Sequence, residues 1–145
     1  MKISAIGIDI AKSVFQLHGV DERGAPVVRR QLRRSQLVEF FAKLEPCLVG
    51  MEACGGSHFW ARKLSALGHQ VQLIAPQLVK PYVRGQKNDA NDARAICEAL
   101  QRPDMRFVAT KSVQQQALCH LHTSRSRLMK QRIAQTNSIR AVLAE

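Results

Sequence analysis

Acidic residues are scarce in this chain: Asp and Glu number 11 against 22 Lys and Arg in 145 residues, a formal charge of +11. The pI is near 10.3. An excess of that size on so short a chain points to a polyanionic partner, nucleic acid first. An anionic membrane surface fits less well, since no segment combines a basic face with a strongly apolar one. No apolar run approaches the length of a membrane span, and the N-terminus lacks the pattern of an export signal. The four cysteines (Cys47, Cys54, Cys97 and Cys119) form no CxxC pair and no zinc spacing. Scattered thiols of this kind suit a reducing cytosol, mostly as small core residues. The length and the 46% hydrophobic content fit one soluble domain with a real core, and leave no room for two.

What is present is organised around the stretch from Ile3 to Lys12. Ile3, Ala5, Ile6, Ile8 and Ile10 form a short, nearly continuous apolar run, which reads as a central strand covered on both faces. In its middle stands Asp9. An unpaired buried carboxylate costs several kcal/mol, so an acid there needs a cation, a metal ion or a dense set of donors. A turn-capping Asp, with Gly7 beside it, is the plainer alternative.

Further along, Val14 to Val20 reads as a second strand, Asp21-Glu22-Arg23-Gly24 as a hairpin turn, and Val27 to Arg34 as a third strand. The third carries Arg29, Arg30, Arg33 and Arg34, which suit either an exposed edge guarded against pairing or a phosphate-contacting patch. Ser35 is placed to cap a helix through Leu44. The apolar strand from Cys47 to Met51 ends in a second acid, Glu52, and Ser57 is placed to cap a helix from His58 to Leu67, closed by Gly68. Gln70 to Ala75 is a fifth strand, broken by Pro76. The segment 77–87 reads as irregular, with Lys80, Arg84 and Lys87 in it. Asn88 then caps a helix to about Arg102 whose first turn holds Asp89 and Asp92 on one face. First-turn acids complement the helix dipole. Two on one face repel unless something positive lies between them.

Three antiparallel strands followed by helix, strand, helix, strand, helix is the element order of the ribonuclease H-like α/β fold, a five-stranded mixed sheet with helices on both faces. In it the first strand is central and the fourth lies parallel beside it, so Asp9, Glu52, Asp89 and Asp92 would meet at one edge. Four carboxylates there cannot all stay ionised without cations, and oxygen-only ligation favours Mg2+ or Mn2+ over zinc. Two such ions about 3.5–4 Å apart can clamp the attacking and leaving oxygens of a phosphodiester.

The stretches G-I-D-I-A-K, M-E-A-C-G-G and K-N-D-A-N-D-A-R, in this order, resemble the three motifs of the DEDD transposases, insertion-sequence recombinases of the IS-one-ten group related to the Piv-type invertases. The resemblance spans residues 3 to 145. It implies a RuvC-like domain over residues 1–108 with Asp9, Glu52, Asp89 and Asp92 as catalytic metal ligands. It also implies a DNA substrate, a guide RNA encoded by the element, and a bacterial, nucleoid-associated location. In the family a further domain supplies a serine nucleophile, so the acidic centre would be half of a composite site. No serine of this chain takes that role on the residues alone. Lys80, Arg84 and Lys87, with Lys12 beyond Asp9, are the candidate nucleic-acid contacts.

Residues 109–145 read as a long helical arm, from Ser112 to about Ala144, roughly 45–50 Å at about 1.5 Å per residue. Leu121, Leu128, Gln135 and Val142 recur at seven, but Arg125 and Arg132 interrupt the seam, a mediocre coiled coil. The arm suits pairing with another copy, giving a homo-oligomer, or lying along nucleic acid. His120 and His122 face different directions and make a poor metal pair. Two other readings stand beside the recombinase. An actin-like or sugar-kinase ATPase needs a glycine-rich phosphate loop that Ile10-Ala11-Lys12-Ser13 does not provide. A non-catalytic nucleic-acid or assembly module is separated by whether the four acids converge; a Holliday-junction nuclease shares the fold, and the K-N-D-A-N-D-A-R motif and the arm argue for the transposase group instead.

Overall fold

The computed structural model describes residues 2–83 and 89–144. Among the described residues six strands form one sheet in the order β3-β2-β1-β4-β5-β6. They are β1 (Ala5–Ile10), β2 (Val14–Val20), β3 (Pro26–Arg33), β4 (Leu48–Glu52), β5 (Gln70–Ile74) and β6 (Phe107–Val108). The apolar run around Asp9 is therefore a central strand, antiparallel to β2 and parallel to β4. The β2–β3 hairpin closes where Asp21 Oδ1 accepts from the Arg23 and Ala25 N–H groups, both at 2.9 Å. Gly24 supplies the φ of +78° that the turn requires.

Helices α1 (Leu37–Ala42) and α2 (Ser57–Ser65) cover one face of the sheet; α3 (Pro76–Val79) and α4 (Asp89–Leu100) cover the other. The strands divide their side chains accordingly. Ile6, Ile8, Phe15, Leu17, Val49 and Met51 enter the core with Phe41 and Trp60. Ala5, Val20 and Ile74 enter a second core with Val79, Ile96 and Leu100. This two-sided burial is why β1 reads as a continuous apolar run rather than an alternating one.

Some boundaries differ from the sequence-based expectation, for physical reasons. The sheet has six strands rather than five, because two residues, Phe107 and Val108, pair antiparallel with Ile74 and Leu73. Pro76 ends β5 but also starts α3 at a position where its missing N–H costs nothing. A 3-10 turn over Lys80–Tyr82 follows, so 77–87 is not irregular throughout. Ser57 is the first residue of α2 rather than its cap, which is Gly56. Its buried hydroxyl instead accepts from the Cys54 N–H at 3.0 Å and donates to the Cys54 carbonyl at 2.9 Å, pinning the strand-to-helix turn. Ser35 lies within a 3-10 turn, Arg34–Gln36, ahead of α1. Asn88, the expected cap of α4, lies outside the described residues.

The chain forms two compact units, Met1–Thr110 and Lys111–Glu145. The second is a single helix, α5 (Val113–Leu143), opened by a capping box. The Gln115 N–H donates to Ser112 Oγ at 3.2 Å, and the Ser112 N–H to Gln115 Oε1 at 2.9 Å. None of its residues is buried. Among the described residues no helix is long and apolar enough to cross a membrane.

Candidate metal centre

Side chains two apart on a strand share a face. Gly7 and Gly50 are register partners on β1 and β4, and both lie beneath α4. Asp9 and Glu52, each two residues further on, therefore stand on the α4 face at the same C-terminal edge of the two parallel strands. A glycine two positions before each acid is the local device. A side chain at either glycine would hold α4 away from the sheet. A Cβ on Gly7 would lie 2.5 Å from the Cys97 nitrogen and 2.9 Å from its Cα, and closer still to the Ala93 carbonyl oxygen. With no side chain there, α4 lies against bare backbone, and its first turn brings Asp92, one turn before the buried Ile96, to the edge where the strand acids end.

The result is a cleft of about 410 Å³ lined by Asp9, Glu52 and Asp92 together with Lys80, Pro76 and Val83. All three acids are half-buried and Lys80 is exposed. Three of the four expected acids thus face one cavity. Asp89 opens α4, but its side chain lies outside the described ones, as do Arg84 and Lys87. Lys12, exposed in the β1–β2 connection, does not line the cleft. Among the described residues no three Asp, Glu, His or Cys side chains are drawn together closely enough to enclose a metal. The donor set still fits a hard divalent ion. It is made of carboxylate oxygens, and Mg2+ is commonly held by one or two carboxylates while keeping several waters, for which the cavity has room.

The cysteines contribute no nucleophile to this cleft. Burial pushes the thiols of Cys47 and Cys97 up to about 11, so both stay protonated at neutral pH. Cys54 and Cys119 are exposed, so only two of the four serve as small core residues.

The arrangement defines a class: a mixed sheet with acids at the ends of its two central parallel strands, and a helix supplying another. RuvC of T. thermophilus, solved in complex with a Holliday junction substrate, matches with a TM-score of 0.51 at 12% identity, over 74% of this chain and 100% of that one. Another Thermus thermophilus RuvC structure gives 0.52 at 12% identity, over 72% and 99%. The fold is ribonuclease H-like, of the RuvC kind.

The family follows from sequence. The model of the IS110-type DEDD transposases, described as "Transposase", matches residues 6–145, and the chain belongs to that family. A probable family 20 transposase of Pseudomonas aeruginosa is 58% identical over 145 residues, all of this chain and 43% of the relative. The transposase for insertion sequence element IS1111A of Coxiella burnetii is 50% identical over 143 residues, 99% of this chain and 39% of the relative. The chain thus spans less than half the length of the curated relatives it matches.

Proposed function

We propose that residues 1–110 are the metal-dependent core of a DNA transposase, holding a DNA phosphodiester for cleavage and strand exchange. The observation that carries this is the shared cleft of Asp9, Glu52 and Asp92 beside Lys80. Asp9 and Glu52 are the metal ligands offered by the sheet, and Asp92, with Asp89, those offered by α4. When bound, Mg2+ or Mn2+ supplies Lewis-acid stabilisation of charge on the phosphate oxygens. The chain's own part is positional. The carboxylates are fixed by strand register and helix packing, Lys80 offers a cationic contact to the phosphate, and Pro76 and Val83 form apolar walls that limit water. By the family resemblance a guide RNA directs the target choice, and a serine in a further domain supplies the attacking hydroxyl. The same reading has α5 joining subunits, supported by its exposed Leu118, Leu121, Leu128 and Val142.

Titration calorimetry with Mn2+ tests the centre. The wild-type chain should bind Mn2+, while Asp9→Asn and Glu52→Gln should each weaken binding at least tenfold with little loss of fold, since both are isosteric and only half-buried. Equal affinity in all three proteins rejects the assignment.

Nucleic-acid binding near the centre gives a second test. The chain should bind DNA or RNA with little sequence preference and an affinity that falls steeply with salt. A triple alanine variant at Lys80, Arg84 and Lys87 should bind less tightly, with the logarithmic salt slope reduced by about 0.9 for each phosphate no longer neutralised. An unchanged slope places the binding surface elsewhere.

A further inference from the structure

The same face of the sheet carries a second cavity, and its chemistry is the reverse of the first. Ladder pairing places Gly7, His18 and Arg29 on one rung across β1, β2 and β3. Asp9, Gln16 and Gln31 form the parallel rung, two residues further along β1. Directly paired residues share a face. Both rungs therefore open on the side that α4 covers, and α4 itself runs from Asp92, at the acidic cleft, past Arg94 toward Gln101. Between α4 and the β2–β3 hairpin lies a pocket of about 380 Å³ whose lining includes His18, Arg29, Arg94, Glu98 and Gln101.

The charges here do not cancel. Two guanidinium groups, Arg29 and Arg94, face the single carboxylate of Glu98, which Arg102 also holds at 2.9 Å, so the pocket is left with an excess of positive charge beside His18. His18 is buried, and its pKa is held below the ordinary value first by that burial and then by those two arginines. A buried imidazole at the floor and two exposed guanidinium groups at the rim make a donor set suited to a tetrahedral oxyanion, while the Gln101 amide nitrogen donates to the Cys97 carbonyl at 2.8 Å. Two other arginines around β3 are used differently. Arg30 lies over Phe40 on the opposite face, and Arg34, just past the strand, lies over Trp60 and Phe15.

We propose that this pocket is a phosphate subsite that grips the backbone of the same nucleic-acid strand whose scissile phosphate enters the acidic cleft. The proposal rests on the nucleic-acid reading above and adds where the strand is held. With strands about 4.8 Å apart and about 3.4 Å per residue along them, Arg29 is on the order of 12 Å from Asp9. That is a span of only a few nucleotides along one strand. Two grips that far apart fix the direction as well as the position of the strand, which a single metal-bound phosphate cannot do.

The test uses the 145-residue chain with Arg29→Ala/Arg94→Ala, beside Lys43→Ala/Lys63→Ala, which removes equal charge from the face covered by α1 and α2. Three readouts are needed: binding of a fluorescein-labelled 20-nucleotide DNA as a function of salt, Mn2+ affinity by calorimetry, and the His18 ring resonances during titration with inorganic phosphate. The Arg29/Arg94 variant should bind DNA about tenfold or more weakly with a salt slope reduced by about 1, and keep its Mn2+ affinity. The control pair should show a clearly smaller loss. Inorganic phosphate should shift the His18 resonances of wild type and not of the Arg29/Arg94 variant. Equal losses in both double variants, or full DNA affinity in the Arg29/Arg94 variant, would overturn the subsite. If phosphate moves His18 while wild type binds no DNA, the anion site stands and the nucleic-acid reading falls.

Discussion

Gly7→Ala is expected to lower the stability of the Met1–Thr110 unit by about 3 kcal/mol or more, the upper part of the range for overpacked sites. The reason is what the new methyl would strike. Its position falls against the Ala93 carbonyl oxygen and 2.5 Å from the Cys97 nitrogen. Those atoms are four residues apart in α4, so the methyl intrudes on the helix's own hydrogen-bond ladder. Backbone held in a helix cannot swing aside as a side-chain tip can, so α4 as a whole must rise. Gly50→Ala provides the contrast. Its methyl would meet only the ends of Leu100, at 3.0 and 3.2 Å, and of Ile96, at 3.3 Å. The Leu100 tip can change rotamer and the Ile96 methyl need give only a few tenths of an ångström, so a cost of about 1 kcal/mol follows. At roughly 4–8 °C per kcal/mol for a domain of this size, thermal melts separate the two variants by about 10 °C or more. Lifting α4 also carries Asp92 away from the strand acids, so Gly7→Ala should lose Mn2+ affinity even where it remains folded. Melts that coincide for the two variants would show that α4 does not rest on β1 as described.

Incubated with a labelled DNA junction and Mg2+ or Mn2+, the 145-residue chain is expected to give no covalent protein–DNA adduct and no strand exchange. This follows from the proposed division of labour, in which the attacking hydroxyl comes from a domain outside these residues. Electrostatic positioning does not replace a nucleophile, although water can attack in its place. Slow, Mn2+-dependent nicking is therefore compatible, and Asp9→Asn should abolish it. Removing one member of a charge-stabilising set commonly costs about 10²–10³ in rate, enough to take slow nicking below detection. The adduct assay is read on denaturing gels. A resistant adduct that maps to a serine of this chain would show that the composite-site proposal is wrong.

Much of this structure was legible because burial leaves a period in the sequence. The two-sided burial of β1 appears as a nearly unbroken apolar run, and the hairpin appears as Asp21 to Gly24 between two strand patterns. The Ser112–Gln115 box marks the start of α5 directly. Asp9 stood out because it interrupts such a pattern, Glu52 because it ends one, and Asp89 and Asp92 because they share one helix face. Their meeting in one cleft, however, depends on Gly7-x-Asp9, which also reads as turn chemistry, and on Gly50-x-Glu52, which reads as plain strand until the sheet register is known. The glycines are needed for what passes over them, and that information is not local. The same holds for β6, whose two residues become a strand only because β5 offers an edge. It holds for Pro76 as well, which stops one element and starts another. The pocket of His18, Arg29 and Arg94 joins three elements by pairing and packing, with no spacing signal linking them. Arg29 was visible only as one of several arginines on an edge strand.

The exposed helix α5 has a consequence for how unfolding of this chain is measured. It contributes 31 residues of helix, against 12 in α4, so far-ultraviolet ellipticity is weighted heavily toward it. It buries no side chain, so its melting releases little apolar surface and adds little to the heat capacity change or the denaturant slope. Within one copy, a helix that buries none of its side chains unwinds gradually, fraying from its ends. Fluorescence reports something else, because the single tryptophan, Trp60, is buried in the core between α2 and the sheet. The two optical signals should therefore trace different curves, with ellipticity declining early and broadly and fluorescence changing late and sharply. Coincident probes are the usual warrant for treating unfolding as all-or-none. Here a free energy fitted to ellipticity would describe neither unit, and the stability of the Met1–Thr110 unit should be read from Trp60.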